Sequence, residues 1–214
     1  MLKYLEDLIA QGEHQELDFK FEISDASKIA RSLCAFANTN GGRLLVGVKD
    51  NGVIAGIRSD EEIFMVEAAS RIWCRPEVNI SAKEWQIGKK NILEVYVPPG
   101  QQRPHLAGDR EGNWKAYVLS GDQNFVANRI LLQVWKREGS DHGVYIKFTD
   151  AERILLRYLE DHNTITLSRF ARISGIKRSK AETILVRFLL LHLIRIHFTE
   201  NHVFYSLEQN TSET

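Results

Sequence analysis

The rhythm of the chain changes once, near Glu138–Gly143, and that change limits the fold more than any other feature. Before it, short alternating or apolar runs bounded by Gly, Pro and Asn are interleaved with amphipathic helical stretches. After it, three helical stretches follow one another and close on two short apolar runs. This patterning predicts two modules, a mixed α+β domain over residues 1–140 and a smaller one over residues 146–208. The length of 214 residues agrees, at roughly 150 residues per domain.

Whole-chain charge names no partner, because 28 basic residues meet 28 acidic ones. The two cysteines, Cys34 and Cys74, stand far apart without a CxxC, which leaves neither a disulfide scaffold nor a cysteine-based zinc site and fits a reducing, cytoplasmic setting. Seven histidines form no HxxxH or HExxH, so zinc is not expected. Acids at Glu6 and Asp7 interrupt the apolar core a signal peptide needs. The most apolar stretch, Ile184–Ile196, is broken by Arg187, His192 and Arg195 and falls short of the about 20 helical residues that cross a bilayer, so no membrane partner is expected.

In the first module, Leu2, Leu5, Leu8 and Ile9 predict a short helix ending at Gly12. Glu16–Phe21 alternates strictly, which predicts a strand with Leu17, Phe19 and Phe21 on its apolar face and Glu16, Asp18 and Lys20 on its polar one. Asp25 caps a helix carrying Ile29, Ala30, Leu33, Phe36 and Ala37, which Asn38–Gly42 ends. Arg43–Lys49 and Val53–Ile57 flank Asp50-Asn51-Gly52 and predict a β-hairpin. Asp60 is expected to cap a second helix that stops before Pro76. Val78–Trp85, Asn91–Val97 and Trp114–Leu119 predict further strands, the last of this module, and Asn124–Arg137 a helix. The two glycines of Asn38–Gly42 suit either a helix cap with a tight turn or a backbone cradle for an anion.

The second module reads as a winged helix-turn-helix: a helix capped by Asp150, a short one stopping at Gly175, a third from Ser179, then strands Leu193–Phe198 and Val203–Leu207. From Arg169 to Arg195 seven basic residues face one acid, Glu182. In such a motif the second helix of the turn enters the major groove by its first residues, here Lys177, Arg178, Ser179 and Lys180, with Arg169 nearby. The alternative is an ordinary solvated face or a protein-docking module. Leu189-Leu190-Leu191 suits a homodimer contact or simple core packing.

A series of motifs along the first module then stands out: Gly12-Glu13, Leu17-Asp18-Phe19-Lys20, Cys34–Gly42, Leu44–Gly52 and Ile54-Ala55-Gly56. Fainter pieces at Pro104-His105 and Ala116-Tyr117-Val118 through Gly121 extend it. In this order they resemble the Schlafen AlbA-like domain over about Leu2 to Lys136. The resemblance implies an α+β domain that in prokaryotic proteins often precedes a winged helix and is described as DNA-binding or regulatory. It also implies, from the RNA-cleaving branch, that Glu13, Asp18 and Asp50 stand at the positions of three metal-binding carboxylates, with Mg²⁺ or Mn²⁺ as the ion. Asp18 departs there from the commoner Glu. Three oxygen ligands of this kind could activate water against a phosphodiester. Each acid also has an ordinary use: Asp50 suits a DNG turn, Asp18 can pair with Lys20 or Arg43, and Glu13 can be a solvated loop acid. With no GxxxxGK[ST], nucleotide binding has no support.

The resulting expectation is a cytoplasmic transcriptional regulator without a cofactor. It contacts DNA through the winged helix and through Lys20 and Arg43 of the first module. A metal-dependent endoribonuclease acting on RNA is the alternative, and a protein-assembly module the third reading.

Overall fold

A computed structural model describes residues 2–138 and 148–208. The chain divides into two compact units, Met1–Ala127 and Asn128–Thr214. The expected linker after Glu138 and the polar tail after Glu208 lie outside the described residues. Among the described residues no helix is long and apolar enough to cross a membrane.

The first unit is built on a four-stranded sheet of β1 (Leu17–Lys20), β2 (Gly42–Val46), β5 (Lys90–Val97) and β4 (Ser81–Ile87), ordered β1-β2-β5-β4. Strands β1 and β2 run parallel, with Leu17 opposite Arg43, so the chain must cross over between them. Helix α2 (Ala26–Asn38) makes that crossing and buries Leu33, Phe36 and Ala37 against Leu44, Val46, Val95 and Val97. Helix α1 (Leu2–Ala10) covers the opposite face, where Leu5 and Leu8 meet Leu17, Phe19, Leu45 and Ile92. With both faces covered, β2 reads as a continuous apolar run. A second sheet, ordered β3-β6-β7-β8, comprises β3 (Cys74–Arg75), β6 (Leu106–Gly108), β7 (Trp114–Ser120) and β8 (Gln123–Val126). It packs on α2 largely through β7, and α3 (Glu61–Arg71) lies against α2 as well.

Several expectations change here, each for a local reason. The segment after Asp50-Asn51-Gly52 makes only the bridge Val48–Ile54, because β1 and β5 already occupy both edges of β2. Asp60 is itself helical and makes no side-chain cap bond. Nearby, Glu62 is buried and accepts from the Ile23 and Arg58 amides at 2.9 and 2.7 Å. Gln123–Val126 pairs with β7 as a hairpin, with Tyr117 opposite Val126, so α4 (Arg129–Glu138) starts later than its apolar spacing suggests. Asn128 takes over the start of that helix, its Oδ1 accepting from the Leu131 amide at 2.9 Å. Cys34 and Cys74, distant in sequence, meet in the core with their sulfurs 3.3 Å apart as free thiols. Gly41 and Gly42 are set by packing: a Cβ on Gly41 would lie 2.6 Å from the Val97 carbonyl oxygen, and one on Gly42 2.3 Å from the Phe36 ring.

In the second unit, α5 (Asp150–His162), α6 (Leu167–Ile173) and α7 (Arg178–Leu190) pack with the three-stranded sheet β10-β11-β9, made of β10 (Ile194–Phe198), β11 (Val203–Leu207) and β9 (Thr164–Ile165). The two-residue β9 joins the pair foreseen in the sequence, Ile165 lying opposite Tyr205. Helix α4, read from its sequence as the close of the first module, packs on α7 and adds Ile130 and Val134 to this second core. Leu189 and Leu190 pack against the same core. Thr149, one residue before the expected Asp150, caps α5 in a capping box with Glu152.

Candidate nucleic-acid interface

The short helix α6 is capped by Thr166, whose hydroxyl accepts from the Arg169 amide at 3.3 Å, and it turns at Gly175 with φ +63°. Helix α7 then begins at Arg178. Lys177 stands at its N-cap in extended conformation without a side-chain cap bond. Core burial on α7 falls on Ala181, Ile184, Leu185 and Phe188, while Arg178, Ser179, Lys180 and Thr183 are exposed. Lys177 and Arg169 are exposed too, Arg169 lying 5.6 Å from the Tyr158 ring centroid. Each of the five residues foreseen at this turn is therefore exposed, and all belong to one compact unit.

The wider basic stretch is less uniform than its sequence suggests. The Arg187 guanidinium is committed at 3.0 Å to Glu152, which is 1 % exposed. That contact and the Thr149 cap bonds offset the burial that would raise the Glu152 carboxyl, and hold its pKa below the ordinary value. Arg195 of β10 pairs with Glu208, the residue after β11. Arg178 keeps a looser partner in Glu182 at 3.5 Å, one helical turn away.

In the first unit, Lys20 and Arg43 are both engaged. The Lys20 ammonium donates to Asp18 at 2.5 Å, and Arg43 donates to Glu94 at 3.1 Å with its guanidinium over the Tyr96 ring. Buried Glu94 also accepts from Tyr4 Oη and Trp85 Nε1, each at 2.7 Å.

Asp18, expected on the polar face of its strand, is not open to solvent there. It is 5 % exposed, because α2 covers that side of β1 and brings the Ser32 hydroxyl to 3.2 Å. Glu13 lies beside it and accepts from the Phe19 amide at 2.9 Å. Burial, opposed by that amide and reinforced by the adjacent Asp18, pushes the Glu13 carboxyl up to about 7. Asp50 is exposed in its turn, and among the described residues no group of three or more His, Cys, Asp or Glu side chains gathers where it could hold a metal ion.

The family model described as Schlafen, AlbA_2 matches residues 13–147. The chain belongs to the Schlafen AlbA_2 family. Two solved structures are similar over part of their lengths. The DIP2311 protein from Corynebacterium diphtheriae is 21% identical with a TM-score of 0.46, covering 75% of this chain and 33% of that one. The N-terminal domain of a Nitrosomonas europaea protein, described as related to the ATP-dependent DNA helicase RecG, is 21% identical with a TM-score of 0.37. That match covers 68% of this chain and 93% of the domain. The present chain therefore spans about a third of the Corynebacterium protein.

Within the Schlafen AlbA_2 region, Asn38 has a role the sequence reading did not assign. Its amide nitrogen donates to the carbonyls of His105 and Tyr117 at 2.8 and 2.9 Å, and its oxygen accepts from the His105 amide at 2.7 Å. Asn38 thus ties the end of α2 to the second sheet. The faint Pro104-His105 and Ala116-Tyr117-Val118 motifs supply its partners, which is the sequence signal that pairing the motifs would have used.

Proposed function

We propose that the protein is a nucleic-acid-binding regulator of transcription whose second unit works as a winged helix-turn-helix on DNA. Helix α6 and the Gly175 turn present α7 to the major groove, and the β10–β11 hairpin serves as the wing. The observation that carries this reading is the joint exposure of Lys177, Arg178, Ser179 and Lys180 at the start of α7, on a helix whose opposite face is buried. Membership in the Schlafen AlbA_2 family supports it, because that resemblance implies DNA-binding or regulatory proteins. Lysine and arginine at that position neutralise backbone phosphates and leave Ser179 and Thr183 to meet base edges. A cytoplasmic location and a homodimer belong to the same reading, the dimer being read by light scattering.

The test is binding of a fluorescent duplex by the full chain at fixed salt. Arg178→Ala and Lys180→Ala should each weaken binding several-fold while thermal melting is unchanged. Equal affinity for both variants and the parent would overturn the assignment.

A second reading, a metal-dependent endoribonuclease, draws on the adjacency of Glu13 and Asp18. Mg²⁺ or Mn²⁺ does not fit the carboxylates as they stand. Asp18 is satisfied by Lys20 and Ser32, and Asp50 does not join the pair in a three-ligand group. No metal-dependent step follows from them. Incubation with tRNA and Mn²⁺ should leave the RNA intact, and cleavage lost in Asp18→Ala would restore the nuclease.

A further inference from the structure

One acid, Glu182, interrupts the basic run of the second unit, and it sits between two arginines from different helices. Its Oε1 lies 3.5 Å from Arg178 Nε on α7, and its Oε2 lies 3.9 Å from Arg129 Nε at the start of α4. Glu182 is withdrawn, its side chain 13% exposed, whereas the two guanidinium-bearing side chains are 68% and 80% exposed. The three line a cavity of about 480 Å³ together with Ser168, His202 and the buried ring of Tyr205. Burial pushes the Tyr205 phenol up to about 12, so its hydroxyl keeps its proton, with Asn128 as a hydrogen-bonding neighbour.

Two guanidiniums and one carboxylate leave a single uncompensated positive charge at the mouth of this cavity. A phosphodiester carries one negative charge and offers oxygens to both forks at once. The carboxylate need not leave, since both arginine side chains stay largely exposed while paired to it. Arg129 escaped the sequence reading because its helix counted as part of the first module, 49 residues before Arg178. The packing of α4 on α7 brings the two together.

We propose that Arg129 and Arg178, braced by Glu182, form a clamp for one backbone phosphate of a bound nucleic acid, which extends the interface from α7 onto α4. The clamp rests on the nucleic-acid reading above, and its test separates the two. Binding of a random-sequence duplex to the full chain is measured over a range of salt concentrations for the parent, Arg129→Gln, Arg129→Lys and Lys136→Gln. Lys136 is an exposed cation in the last turn of α4 and serves as a control for general charge. Each phosphate contact contributes about −0.9 to the slope of log K against log salt. Arg129→Gln should lower the magnitude of that slope by about 0.9 and weaken binding several-fold at 0.1 M salt. Arg129→Lys should keep the slope, and Lys136→Gln should leave it unchanged. If the parent binds with salt sensitivity but Arg129→Gln matches it in slope, or Lys136→Gln loses as much, the clamp is wrong and the α7 interface stands. If the parent shows no salt-sensitive binding, both fail.

Discussion

Glu13 and Cys34 show how strongly the first unit bends single side chains away from their behaviour in water. Glu13 is raised to about 7 from an ordinary carboxylate value of 4.5, mainly by burial and then by the neighbouring Asp18. A folded-state pKa above the unfolded one means that the native protein binds the extra proton between those two values. The stabilisation tied to Glu13 is therefore complete below about pH 4.5 and is lost as pH rises through about 7. Glu13→Gln keeps an oxygen for the Phe19 amide and removes the titration. Its urea midpoint, compared with the parent, should rise progressively from pH 5 to pH 7.5, and a constant difference across that range would contradict the shift. Cys34 is displaced in a different way. The Cys74 sulfur as hydrogen-bond partner, followed by burial, raises its thiol above the usual range. Reactivity needs both a thiolate and access. The folded protein should therefore leave 5,5′-dithiobis(2-nitrobenzoate) unreacted and yield two thiols per chain once unfolded. Rapid titration of either thiol in the native state would contradict that burial.

Among the elements, α2 organises the first unit, since it crosses between two parallel strands, packs on both sheets and is pinned at its end by Asn38. Asn38→Ala would strand the His105 amide and two carbonyls without partners in a site where Asn38 is 2 % exposed. A loss of about 2–4 kcal/mol in unfolding free energy is expected from orphaned buried groups, and chemical denaturation would read it. A change below about 0.5 kcal/mol, the range of ordinary surface substitutions, would contradict the clasp. The helices of both units were legible from apolar spacing, and the strands β1, β2, β4, β5, β7, β10 and β11 from alternation or apolar runs. What could not be read depends on partners distant in sequence. Gln123–Val126 has a spacing that suits a helix, yet the free edge of β7 takes it as a strand. The segment after Gly52 has the alternation of a strand, but β2 has no edge left for it. The cap of α5 moved by one residue, from Asp150 to Thr149, and Asp60 stands at the N-cap of α3 without a side-chain cap bond, because capping depends on backbone torsion as well as residue type. The candidate site divides in the same way. Exposure of Lys177–Lys180 follows from local periodicity, whereas the commitments of Lys20 to Asp18 and of Arg43 to Glu94 come from tertiary neighbours.

For the molecule as a whole, electrical neutrality conceals an uneven arrangement. Three acids of the first unit, Asp18, Glu62 and Glu94, are buried on local donors. The second unit meanwhile displays Arg169, Lys177, Arg178 and Lys180 on its surface. A protein of zero net charge has no general attraction for a polyanion, so any strong salt dependence must come from such a local cluster. The most direct measurement is the affinity of the full chain for a short duplex between about 50 and 200 mM salt, where proteins making several phosphate contacts lose orders of magnitude in binding. A steep linear fall of log K against log salt, made shallower by replacing Lys177, Arg178 and Lys180 together with Gln, is the expected result. Binding that is absent at the lowest salt, or equally steep without those three side chains, would contradict a nucleic-acid interface at the start of α7.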